Sequence, residues 1–123
     1  NRIQLAQIYS VSDLVLVPSL VESFGQVAAE ASACETPVVC FKTSGLMDIV
    51  IPNETGWVAK PFSIESFADQ LEKASQTSSE VRKEMGKLAR NHIERNFSIP
   101  VVQENYRRIL LEILGNKKKP LVS

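Results

Sequence analysis

Three short, uninterrupted apolar runs most limit how this chain can fold: Leu14-Val-Leu-Val-Pro18, Pro37-Val-Val-Cys-Phe41 and Trp57-Val-Ala59. Each is too short for a helix and lacks polar alternation, which fits strands buried on both faces of a parallel sheet. Helical or turn sequence separates them. Ser23 and Gln26 have the spacing of a capping box, which predicts a helix from about Phe24 to Cys34. Thr43-Ser-Gly45 reads as a loop, Leu46 to Ile49 as a short helical turn, and Asn53-Glu-Thr-Gly56 as a turn into the third strand. Strands alternating with helices at this spacing predict an α/β fold in three layers: a parallel sheet of about three strands with helices on both faces.

The flanking segments are helical. Ile3, Leu5, Ile8 and Tyr9 repeat at near-helical spacing over residues 2–10, with no start signal, so the chain is expected to continue from a larger protein. Ser63-Ile-Glu-Ser66 opens another helix, with Phe67, Leu71 and Ala74 as its inward stripe. Helices are predicted at about 79–95 and 99–114; Val102, Tyr106, Ile109, Leu110 and Ile113 form the inward face of the second, and Gly115 is its expected stop. Leu14 to Pro18 is the expected sheet edge, an exposed apolar strand that a second copy could pair with to give a dimer.

A chain of 123 residues with 44% hydrophobic content can bury one core and has no room for separate catalytic and substrate domains. Its zero net charge conceals an asymmetry, since ten of its 14 Lys and Arg residues fall after residue 78. Arg82, Lys83, Lys87, Arg90 and Arg95 on helical sequence, with Lys117 to Lys119, read as a solvated face rather than a nucleic-acid site. Contact with an anionic membrane surface is the lesser alternative. Cys34 and Cys40 lack metal-ligand spacing and read as small buried hydrophobes in a reducing compartment. No segment approaches the roughly 20 apolar residues needed to span a bilayer. The chain is therefore expected to be soluble and cytoplasmic, and the sequon matches at Asn53 and Asn96 carry no weight without a secretory signal.

Chemistry concentrates in Ser19-Leu-Val-Glu-Ser-Phe-Gly-Gln-Val-Ala-Ala-Glu-Ala31. In open parallel sheets, ligands bind beyond the carboxyl ends of strands, which is where Glu22 falls. The helix start behind it offers backbone amides around Ser23, Phe24, Gly25 and Gln26 with a partial positive charge, suited to phosphate. Gly25 allows close approach to the backbone. Glu30, further along the helix among small alanines, can accept two hydrogen bonds from vicinal hydroxyls such as those of a ribose. One acid for a polyhydroxylated group, amides for phosphates and a second acid for another polyhydroxylated group describe a nucleotide-sugar. Two solvated acids, or a glycosidase-like acid/base pair, fit the same residue types. Dinucleotide and Walker fingerprints are absent.

The run PSLVESFGQVAAEASACETPVV resembles the donor-site motif of retaining GT-B glycosyltransferases of family 4, in which two Glu residues separated by seven others follow a buried strand. The resemblance continues through SGLMDIV, similar to the family's glycine-rich loop, NETGWVAKP, similar to its last turn and strand, and on to NFSIPVVQENY. It implies a Rossmann-like fold in which residues 1–123 are the later half of the C-terminal nucleotide-sugar-binding domain. The first strands of that domain and the acceptor-binding N-terminal domain would lie outside this chain. By position, Glu22 corresponds to the catalytic acid that contacts the donor sugar near its reacting carbon. Ser23, Phe24, Gly25 and Gln26 match the segment facing the sugar and diphosphate, and Glu30 matches the ribose ligand. The sequence departs from the family's pattern at Glu35, where glycine is usual, and at Ser44-Gly45 and Asp48, where paired glycines and a Glu are usual. The Arg and Lys that clamp the diphosphate precede the matched region.

The resemblance implies a hexosyl transfer from a nucleoside-diphosphate-sugar to a glycan, lipid or small-molecule acceptor, with retention of configuration and neither cofactor nor metal. Catalysis would rest on leaving-group stabilisation by preorganised donors. Location would be cytoplasmic, with peripheral contact at the inner membrane face as an option. The chain alone is expected to be inactive. A non-catalytic binding or assembly module on the same fold is the alternative, and a hydrolase using both acids a weaker third. His92, the one histidine, is assigned a surface or capping role, Trp57 and Phe67 core roles, Asp13 a turn or cap, and Lys42 and Lys60 exposed strand ends.

Overall fold

The structure is a computed structural model describing residues 1–116, so the expected solvated tail at Lys117 to Lys119 lies outside the described residues. The chain divides into two units, residues 1–93 and the segment from Glu94 onward. In the first, helix α1 (Arg2–Val11) precedes strand β1 (Val15–Val17), α2 (Gln26–Ala33), β2 (Val38–Phe41), α3 (Ser44–Ile49), β3 (Gly56–Ala59) and α4 (Ile64–Gln76). Helix α5 (Ser79–Phe97) passes into the second unit, which holds α6 (Ile99–Asn116).

The sheet is parallel in the order β1-β2-β3, as the alternating sequence predicts. Val15 pairs with Val38 and Val17 with Cys40; Val39 pairs with Trp57 and Phe41 with Ala59. All four β2 residues are buried, which explains an apolar run without alternation. β1 is an edge among the described residues, as expected, yet it is not buried on both faces: Leu16 is 46% exposed, whereas Val17, which points to the opposite face, is buried. Val39, Trp57, Ala74 and Met85 form a buried cluster with Leu14 and Phe67 against it, confirming core roles for Trp57 and Phe67. The Phe41 and Phe67 rings lie 4.8 Å apart, tilted by 49°, where α4 meets β2.

Capping chemistry follows the sequence at α4, where the Ser63 hydroxyl accepts from the Ser66 amide at 3.1 Å. It departs elsewhere. α1 has a cap after all, since Asn1 Oδ1 accepts from the Ile3 amide at 3.0 Å. The Ser23–Gln26 capping box does not form: α2 begins at Gln26 with Gly25 as its N-cap and no side-chain cap bond. Arg82 is not simply solvated. Its guanidinium donates to the Thr77 carbonyl and lies 3.6 Å from the Asp13 carboxylate, with 19% of the side chain exposed.

In the second unit, Gly115 does not stop α6, because the helix runs to Asn116. The stripe expected to face inward, Val102, Tyr106, Ile109, Leu110 and Ile113, is exposed by 37% to 67%. Helical spacing fixes which residues share a face but supplies nothing to cover it. Among the described residues, no helix is long and apolar enough to cross a membrane.

Candidate functional site

The loop following β1 runs from Pro18 to Gly25 and delivers the chain to α2 at the carboxyl end of the sheet. A strand therefore leads into the helix that carries Glu30, as the sequence predicts. The start of α3, which follows β2, meets the same loop: the Glu22 carbonyl accepts from the Gly45 amide at 3.1 Å and from Ser44 Oγ at 3.4 Å. Two strand-to-helix connections are thus tied together where ligands bind in open α/β sheets.

Glycines make this junction possible. Gly25 has φ +86°, a conformation that L side chains rarely adopt, and a Cβ there would lie 2.6 Å from Leu46 Cδ2. At Gly45 a Cβ would lie 2.6 Å from the Phe24 amide nitrogen and 2.7 Å from the Glu22 carbonyl oxygen. The sequence assigns Gly25 to ligand approach; the structure adds a backbone requirement, and it shows Gly45 to be an equally strict contact. Within α2 the first hydrogen bond runs from the Ala29 amide to the Gly25 carbonyl, so the amides of Gln26, Val27 and Ala28 have no intrahelical acceptor. Unpaired amides of this kind give a helix start a partial positive charge. Ser23 and Phe24 lie exposed in the loop and Glu22 is half-buried.

Glu30 is half-buried on α2, about 6 Å along the axis from Gln26 at an ordinary helical rise. Its Oε1 accepts from Gln26 Nε2 at 3.1 Å and its Oε2 from the Tyr9 hydroxyl at 3.2 Å. Gln26 thus serves the carboxylate four residues ahead instead of a helix cap, a pairing that i,i+4 spacing makes available. Tyr9 is buried, and burial together with the adjacent Glu30 carboxylate raises its phenol above the usual range. In the sequence Tyr9 stands only on an amphipathic stripe, because a partner 21 residues away leaves no local signal. A cavity of about 320 Å³ opens beside this group, lined by Arg2, Leu5, Tyr9, Gln26, Glu30 and Cys34 among others.

A larger hollow of about 920 Å³ is bordered by Asp13, Thr36, Pro37, Arg82 and Lys87. It lies at the opposite end of the strands, since Asp13 precedes β1 and Pro37 precedes β2, so size alone does not locate the chemistry. The surface or capping role expected of His92 fits its position, its Nε2 lying 2.8 Å from the Asp48 carbonyl oxygen near the end of α3. Cys40 is buried and its thiol is pushed up to about 12, whereas Cys34 is only half-buried, short of the full burial expected. No cluster of three or more His, Cys, Asp and Glu side chains suited to a metal ion occurs among the described residues.

Residues 1–92 match the family described as Glycosyl transferases group 1. The chain belongs to that family. It is 36% identical over 110 residues to the D-inositol 3-phosphate glycosyltransferase of Gordonia bronchialis, a match covering 87% of this chain and 24% of that protein. Sucrose-phosphate synthase from Thermosynechococcus elongatus superposes with a TM-score of 0.81 at 29% identity, over 92% of this chain and 28% of the other. Anabaena HepE, solved in complex with UDP and glucose, shares the fold with a TM-score of 0.77 at 23% identity, over 88% of this chain and 29% of the other. The chain thus spans about a quarter of the length of the relatives it matches.

Proposed function

We propose that this chain forms part of the donor-binding domain of a retaining glycosyltransferase that moves a hexosyl group from a nucleoside-diphosphate-sugar to an acceptor. The observation that carries the reading is the junction of the Glu22 loop, the α2 start and the α3 start at the carboxyl end of the sheet, with the Glu30 carboxylate just inside α2. Family membership supports it. In this reading Glu22 is the catalytic acid, accepting hydroxyls of the donor sugar near its reacting carbon. The segment Ser23, Phe24, Gly25 and Gln26 faces sugar and diphosphate, where amides and the helix dipole lower the energy of the departing phosphate. Glu30 accepts the two ribose hydroxyls.

Residues that clamp the diphosphate with Arg or Lys, and those that bind the acceptor, belong to other parts of the polypeptide, for which a chain spanning 24% of a relative leaves room. The chain by itself should therefore lack transferase activity, and turnover of any nucleotide-sugar by it would refute this division. In the full polypeptide, Glu22→Ala should lower kcat by at least 100-fold, as loss of a transition-state contact does. Glu30→Ala should chiefly raise KM for the donor. Wild-type kinetics in both variants would remove the assignment.

A second reading, a binding or assembly module, is favoured by the open β1 edge with Leu16 half-exposed. It predicts a dimer, and light scattering that finds only monomer counts against it. The donor reading also places the protein in the cytoplasm, where such donors are consumed, with peripheral membrane contact through its basic second part left to a vesicle flotation assay.

A further inference from the structure

We infer that Tyr9 is a positioning residue for the nucleotide ribose: its hydroxyl fixes the Glu30 carboxylate in the orientation that accepts a vicinal diol. The inference rests on the donor-binding reading above and adds to it a residue outside the Glu22–Glu30 segment.

The geometry points to Tyr9 because its position is set by the sheet rather than by its own helix. Thr36, the residue two before β2, donates from Oγ1 to the Tyr9 carbonyl at 2.7 Å in a buried bond. This ties the last turn of α1 to the entry of the central strand. From there Tyr9, 8% exposed as a residue, lies beside α2, and its hydroxyl donates to Glu30 Oε2 at 3.2 Å. Gln26 Nε2 holds Oε1 from the other side at 3.1 Å. A carboxylate has about four lone-pair sites, so one bond on each oxygen leaves each free to accept a further hydroxyl, which is the valence a ribose diol requires. Held at both oxygens, the carboxylate is restrained in orientation, which lowers the cost of ordering a long glutamate side chain upon binding. The phenol remains a donor throughout the neutral range, because burial and Glu30 both disfavour its ionisation.

The test is calorimetric titration of the full polypeptide with UDP, GDP and ADP, followed by the 3′-deoxy analogue of whichever binds. Proteins compared are wild type, Tyr9→Phe, Glu30→Gln and the double variant, each with a melting curve. Tyr9→Phe keeps the buried ring and should leave the melting temperature near that of wild type. It should weaken nucleoside diphosphate binding by roughly 3- to 10-fold, the range of one hydrogen bond. It should also shrink the penalty for the 3′-deoxy analogue and leave kcat at saturating donor within about 2-fold, since uniform binding alone is lost. In the Glu30→Gln background, Tyr9→Phe should cost nothing further. Unchanged affinity and an unchanged deoxy penalty in Tyr9→Phe, alongside weakened binding in Glu30→Gln, would overturn this inference and spare the donor reading. Equal losses from Tyr9→Phe with and without Glu30 would likewise reduce Tyr9 to a packing residue. If wild type binds none of the three diphosphates, the donor reading falls and this inference with it.

Discussion

The Gly45 amide donates to the Glu22 carbonyl across 3.1 Å, joining the start of α3 to the loop that carries the proposed catalytic acid. This bond brings the two backbones so close that a methyl group at residue 45 would lie 2.6 Å from the Phe24 nitrogen. Neither neighbour is a flexible side-chain end, so the conflict can be relieved only by moving the loop.

Gly45→Ala should therefore destabilise the fold by about 2 kcal/mol, as overpacking does, and should impair donor binding together with stability. Chemical denaturation and donor titration on one preparation would check both. Full stability in Gly45→Ala would mean that loop and helix are not held as described.

The end of α2 carries a different strain. The Glu35 amide donates to Ser32 and the Thr36 amide to Ala31, both at 3.0 Å, the pair of bonds that closes a helix through a left-handed residue. That residue is Glu35, with φ +62°. A non-glycine side chain there costs roughly 1–2 kcal/mol, offset in part by the extra freedom glycine has when unfolded. Glu35→Gly should accordingly raise stability by about 0.5–1 kcal/mol and leave donor affinity unchanged. The midpoint of a urea titration would read the gain, and a lower midpoint would contradict it.

The two thiols should behave differently. Burial disfavours the Cys40 thiolate, and its folded value of about 12 lies above the ordinary value of 9.0. A raised folded value means that the thiol's contribution to stability is complete below about pH 9 and is lost as pH climbs toward 12. At pH 8, a thiol reagent should modify half-buried Cys34 in the native protein and reach Cys40 only after unfolding. Equal rates for both thiols in the native state would contradict the burial of β2.

Trp57 on β3 anchors the shared core with Val39, Ala74 and Met85. Trp57→Ala should cost about 3–5 kcal/mol, the range for losing a large buried aromatic, while Trp57→Phe should cost much less. Thermal melting of the two variants would separate loss of volume from loss of the indole.

Much of this architecture is legible in the sequence because burial leaves direct marks on it. β2 reads as an apolar run since all four of its residues are covered, and Ser63 reads as a helix start since its hydroxyl caps α4. The run from Leu14 to Glu30 is legible as a strand, a loop and a helix. The capping box at Ser23 and Gln26 fails for a physical reason: the positive φ at Gly25 delays the helix start, and the Gln26 side chain donates from Nε2 to Glu30. Long-range partners leave no local mark. Neither the Tyr9–Glu30 bond nor the Gly45–Glu22 bond could be read from spacing, because each joins elements that only the sheet brings together. The exposed stripe of α6 shows the same asymmetry, since periodicity names a face without naming its cover.

The most direct measurement is a crystal structure of the full polypeptide with an intact nucleotide-sugar. The account predicts both ribose hydroxyls within hydrogen-bonding distance of the Glu30 carboxylate, the diphosphate against the amides that open α2, and the sugar beside Glu22. A ribose seated anywhere else, with Glu30 still bound only by Tyr9 and Gln26, would contradict it.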